Sequence, residues 1–140
     1  AQMFINTDMK VSATPLFCPG SAGMARAGSP DSANSQFFLM SGQNDALNGG
    51  YTVFGRIVSG LDVVKNLKPG SEAGDGAVAE GADTMTRVRM ASSLPQEERP
   101  AVRVAVAGSA PFMAAVEAAR TAKGGSFNIC DVEVPVQTGN

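Results

Sequence analysis

Histidine is absent from this chain of 140 residues, and cysteine occurs only at Cys18 and Cys130. A zinc centre of the usual kind takes three or four ligands from those two residue types, so none can be built here. Charge is also sparse. Only 17% of residues are Asp, Glu, Lys or Arg, and the formal net charge is −2. Such a chain has no basic field with which to hold a phosphate backbone, which argues against nucleic acid as a partner. No apolar run approaches the length that crosses a bilayer, and no signal peptide is visible. The acidic residues Glu72, Asp75, Glu80 and Asp83 lack the spacing of an EF-hand and read as a solvated loop. Gly74-Asp75-Gly76 is too short to cradle a phosphate. No metal or other cofactor is expected.

What is present describes a globular protein. Apolar residues make up 44% of the chain, too many for a disordered segment. The length suits one domain, or part of one with an appendage. The two cysteines are compatible with a disulfide or with two buried thiols, and Cys130, in a β-like stretch, reads as a small buried hydrophobe. The chain opens at Ala1-Gln2 without an initiator methionine. That start fits an exported protein, a proteolytic product or part of a longer sequence, and favours the periplasm slightly over the cytoplasm.

Read along the chain, Met3 to Ile5 suggests a short strand, and Ser21 to Ala27, small and apolar, a buried one. Gly28 to Asn34 is turn chemistry throughout, since Gly, Pro, Asp and Asn each favour tight local conformations. Strands are expected at Gln36 to Met40 and Tyr51 to Val58, separated by a loop closed by Gly49-Gly50. Gly60 to Leu67 has Leu61, Val64 and Leu67 on one helical face and is stopped by Pro69-Gly70. The alternation of Thr84 to Met90 predicts another strand.

Leu94 to Pro100 is polar, bounded by prolines, and reads as a linker. The domain division that follows is 1–93 for the main unit and 94–140 for linker and appendage. Within the appendage Ala101 to Ala107 is β-like, and Ser109 is placed to cap a helix over Ala110–Lys123, with Pro111 in its first turn and Gly124 just beyond it. Phe112, Val116 and Ala119 form its apolar stripe. A last strand is expected at Phe127 to Val134.

The stretch from Ser32 to Gly55 carries the functional signal. It holds Ser35-Gln36-Phe37-Phe38 and, further on, Tyr51 leading into Phe54-Gly55, preceded by Gly23-Met24-Ala25. From about Ser12 to Leu67, with a weaker echo at Met85 to Met90, the sequence resembles the second half of a cyclophilin-type peptidyl-prolyl cis-trans isomerase core. Tyr51 and the Ser29-Pro30-Asp31-Ser32 loop resemble the bacterial branch. The fold implied is mainly β: part of a cyclophilin-like antiparallel β-barrel with a short helix, plus a small α+β C-terminal appendage similar to extensions on some bacterial members.

The resemblance implies a site without nucleophile or metal. Gln36, Phe38 and Tyr51 fall on catalytic positions, and Met24, Ala25, Arg26, Ala27 and Leu47 on substrate-binding ones. Phe38, Met24 and Leu47 would wall the proline pocket, while Gln36 and Tyr51 would contact the peptide. Proline-containing peptides or unfolded protein chains are the implied partners. Two departures stand out. Ala46 occupies a position where the family usually has an aromatic residue. The family's arginine-bearing Phe-x-Arg-like segment should precede Ser12, and residues 1–11 do not contain it. The chain therefore reads as the rear part of a longer protein, or as a piece completed by another chain that supplies the missing half of the barrel. A non-catalytic proline-peptide binding or structural subunit is the alternative function.

Overall fold

In the computed structural model, residues 2–5, 11–74 and 76–139 are described. Asp75, one of the acidic loop residues, lies outside them. Two strands, β1 (Gln2–Ile5) and β2 (Val11–Thr14), pair antiparallel with Gln2 opposite Thr14 and Ile5 opposite Val11. The expected strand at Met3 to Ile5 is therefore present.

The functional stretch folds into a three-stranded antiparallel sheet in the order β4-β3-β5, with β3 (Ser21–Met24), β4 (Phe37–Leu39) and β5 (Val53–Arg56). Small residues place β3 in the middle. Ser21, Ala22 and Gly23 are all buried, and their short side chains let neighbours close in from both faces. Residues opposite each other on a ladder share a face, and alternate residues share it too. Gly23 and Phe38 therefore face one way, while Ala22, Leu39, Met24 and Phe37 face the other. On the other side of β3 the register shifts. Ala22 opposes Gly55 but Gly23 opposes Val53, so Phe54 is the extra residue of a β-bulge. Phe54 stands edge-on to Phe37, with ring centres 6.4 Å apart.

A five-residue helix, α1 (Leu61–Lys65), follows. Leu61 and Val64 are half-buried as the spacing predicts, but Leu67 lies beyond the helix end and is 47% exposed. The strand expected at Thr84 to Met90 does not form. That stretch belongs to no ladder among the described residues, and Met85, Val88 and Met90 are 73%, 67% and 73% exposed. Alternation makes a segment competent for a sheet, but a strand exists only where a neighbour takes its backbone hydrogen bonds. The Leu94 to Pro100 linker is braced by Arg99, whose Nε donates to the Leu94 carbonyl at 2.9 Å.

Beyond it, β6 (Ala101–Val104) pairs antiparallel with β7 (Val136–Gly139), and α2 (Ala110–Lys123) lies between them in the chain. The helix has the bounds its sequence predicts, with Pro111 in the first turn and Gly124 at its end. Val116 of its apolar stripe is buried, and Phe112 and Ala119 are half-buried. Ser109 sits at the cap position without a side-chain capping bond, and only its carbonyl engages the helix, accepting from Met113 N at 2.9 Å. The last strand is displaced from Phe127–Val134 to Val136–Gly139. The cause is local. Asn128 Oδ1 accepts from Cys130 N at 2.9 Å, and Asp131 Oδ2 accepts from Asn128 N at 2.8 Å, closing a single 3-10 turn over Ile129–Asp131. Such side-chain bonds compete with a ladder for the same backbone groups.

Cys18 and Cys130 form a disulfide, with their Cα atoms 5.0 Å apart. The bond decides between the two readings of the cysteines. Cys130 is thus a covalent anchor rather than a small hydrophobe, and it ties the C-terminal segment to the loop that enters β3.

Candidate functional site

Four side chains form a continuous row across one face of the three-stranded sheet. At its base Phe17 is fully buried, 0% exposed, with its ring centre 5.4 Å from that of Phe38 and the planes inclined by 30°. Phe38 then meets Tyr51 edge-on at 5.8 Å. The Arg26 guanidinium also lies over the Tyr51 ring, 5.0 Å from its centre, within the range of a cation–π contact. The row is possible only because residue 23 has no side chain. A Cβ on Gly23 would stand 2.6 Å from a Phe17 ring carbon and would also run into the Phe38 ring.

The backbone fixes the ends of the row. Arg26 Nε donates to the Gly50 carbonyl at 2.9 Å, and its Nη1 donates to the carbonyls of Ala27 and Gly28 at 3.0 and 3.1 Å. These three bonds hold the guanidinium in place and brace the loop after β3. Ala25 N donates to the Gln36 carbonyl at 3.0 Å, and Met24 N donates to that of Thr52 at 2.9 Å. The loop before Tyr51 is shaped by its own polar residues. Asn44 Oδ1 accepts from Ala46 N at 3.1 Å, and Asp45 Oδ1 accepts from the side-chain nitrogens of Gln43 and Asn48, opening a turn over Asp45–Leu47. Two bonds pin this loop to the base of the row. Phe17 N donates to Asn48 Oδ1 at 2.9 Å, and Asn44 N donates to the Phe17 carbonyl at 3.1 Å.

Phe38, Tyr51 and Arg26 are therefore in direct contact, and Ala25 and Gln36 are joined through the ladder. Leu47 is half-buried on the pinned loop, and Ala46 beside it is exposed. Met24 is the residue the structure does not bring to Phe38. It pairs with Phe37 and so lies on the opposite face of the sheet. Next to the row an open cleft of about 310 Å³ is walled by Ala25, Arg26 and Ala27 on one side and by Ser32, Asn34, Ser35 and Gln36 on the other. Ala27 N donates to Ser32 Oγ at 2.9 Å, which holds the turn against β3. Sequence reasoning missed Phe17 and the serine- and asparagine-lined wall. The only signal for Phe17 was a lone large aromatic among the prolines, cysteine and glycine of residues 15–20.

Rotation about an X–Pro bond has to overcome amide resonance, a barrier of roughly 18–20 kcal/mol, with no bond made or broken. An apolar wall that grips the proline ring, next to fixed polar groups that meet the peptide backbone, is the chemistry such a rotation asks for. The row and its cleft have both parts. A sequence model of the cyclophilin type peptidyl-prolyl cis-trans isomerase family matches residues 5–104.

The chain belongs to that family.

A protein of Brucella abortus named "probable peptidyl-prolyl cis-trans isomerase" is 56% identical over 62 residues, which are 44% of this chain and 32% of that protein. Peptidyl-prolyl cis-trans isomerase B of Bacillus subtilis is 45% identical over 51 residues, 36% of this chain and 35% of that one. The chain thus spans about a third of the length of the curated relatives it matches. The crystal structure of cyclophilin AquaCyp293 from Hirschia baltica superposes with a TM-score of 0.72 at 28% identity, covering 88% of this chain and 43% of that one. The fold is that of a cyclophilin, and among the described residues the strands form three separate sheets rather than a closed barrel.

Proposed function

We propose that this chain carries the proline-gripping part of a peptidyl-prolyl cis-trans isomerase acting on proline-containing protein chains. The observation that carries the reading is the Phe17–Phe38–Tyr51–Arg26 row on the same sheet as the Gln36 cleft. Phe38 would take the proline ring, with Leu47 at its margin. Gln36 and Tyr51 would orient the peptide, and Ala25, Arg26 and Ala27 would line its path. The donor to the twisting amide, an arginine in the family, would come from a segment outside these residues. The Cys18–Cys130 bond supports an oxidising compartment, hence the periplasm ahead of the cytoplasm.

The test is the cis-to-trans relaxation of a short Ala-Pro peptide. Without one preorganised donor the oxidised chain is expected to accelerate it by a factor about 10²–10³ below that of a cyclophilin with the full set. Phe38→Ala is expected to abolish what acceleration there is. A folded chain that neither accelerates relaxation nor binds the peptide would sink the proposal.

One observation favours a second reading, a proline-peptide binding or structural subunit completed by another polypeptide. On the sheet face away from the row, Phe37, Leu39 and Phe54 are 45%, 38% and 56% exposed, an apolar patch of the kind that marks an interaction surface. Peptide binding without any acceleration would select this reading.

A further inference from the structure

We infer that Phe17 is a positioning residue for the proline-gripping ring Phe38, holding it from beneath while it pins the Asn44–Gly50 loop through its backbone. The inference rests on the reading of Phe38 proposed above. Phe17 lies within the region the family model matches but outside Ser32 to Gly55, the stretch that carries the functional signal. Yet among the residues whose burial is described it is the largest fully buried side chain. Its ring is inclined by only 30° to that of Phe38, and it fills the space that Gly23 leaves open. Phe38 itself is only half-buried, so a ring without this support can rotate towards solvent. The two backbone bonds of residue 17, to Asn48 Oδ1 and from Asn44 N, fix where the loop carrying Leu47 meets the row. The support is in turn anchored, because the next residue, Cys18, is bonded to Cys130 of the C-terminal unit.

The chain supplies its own reporter. Tyr51 is its one tyrosine and it has no tryptophan. The near-ultraviolet circular dichroism of tyrosine therefore reports on the residue that touches Phe38. Phe17→Leu keeps an apolar side chain but removes the ring that supports Phe38. Phe17→Met fills the slot with a flexible thioether that still makes favourable contact with an aromatic ring. Thermal unfolding followed by far-ultraviolet dichroism confirms the temperature at which each variant is folded, and all other readings are taken below it.

The expected result is a reduced Tyr51 signal in Phe17→Leu, an affinity for the Ala-Pro peptide weakened about tenfold, and partial recovery of both in Phe17→Met. A merely structural role would lower the unfolding temperature and leave the folded protein's Tyr51 signal and affinity as in the parent. That outcome overturns the inference. Should the parent chain bind no peptide, the reading of Phe38 as the proline grip fails, and the Tyr51 signal alone still decides whether Phe17 holds Phe38. If neither folded variant alters that signal, Phe17 does not position the ring.

Discussion

Replacing Cys18 and Cys130 together by serine is expected to lower stability by about 4 kcal/mol, because the bond closes a very long loop. The two residues are 112 positions apart, so reduction frees nearly the whole chain to expand in the unfolded state. The noncovalent cores on either side of the bond are thin. Among the residues whose burial is described, the buried apolar side chains are Phe17, Ala22 and Met40 in and around the sheet and Val116 and Val132 in the C-terminal segment. Domains are typically stable by about 5–15 kcal/mol, so a loss of this size removes much of the margin. Urea unfolding of the oxidised protein and of the double variant measures it directly. A midpoint that falls steeply is the expected result. An unchanged midpoint would mean that packing alone holds the two bonded segments together.

Gly23→Ala is expected to have the second large effect, on the site as much as on stability. Gly23 is buried between Phe17 and Phe38, and a methyl group there meets both rings. Overpacking of this kind typically costs about 1–3 kcal/mol. Relief requires one ring to move, and the half-buried Phe38 has more freedom than the buried Phe17. Peptide affinity should therefore fall more than the stability change alone predicts. Gly42→Ala is the control. Gly42 is exposed with nothing near its would-be Cβ, so the change is expected to stay within about 0.5 kcal/mol. Equal peptide binding by Gly23→Ala and the parent would show that Phe38 does not need the position it occupies.

Features set by local sequence were legible before the structure. The helix Ala110–Lys123 is bounded by Pro111 and Gly124 and carries its stripe at helical spacing, and it forms where expected. Gln36-Phe37-Phe38 and Tyr51 lie in one motif, and its two strands flank the small residues of Ser21–Met24. Features that depend on a distant partner were not legible. Thr84 to Met90 alternates like a strand but belongs to no ladder among the described residues. The pairing of Cys18 with Cys130 is settled by the approach of two segments 112 positions apart, which spacing does not reveal. Met24 was expected beside Phe38 because the resemblance places it on the groove wall, yet the register of the ladder turns it to the other face. Phe17 was missed because its neighbours read as a loop, and burial is a property of what packs over a residue.

The most direct test of the central claim is a titration of the oxidised chain with an Ala-Pro-containing peptide, followed through the intrinsic fluorescence of Tyr51. The account predicts a saturable change in the parent chain and none in Phe38→Ala at the same peptide concentrations. A flat titration of the folded parent, or an identical curve from Phe38→Ala, would show that the aromatic row is packing and not a proline site.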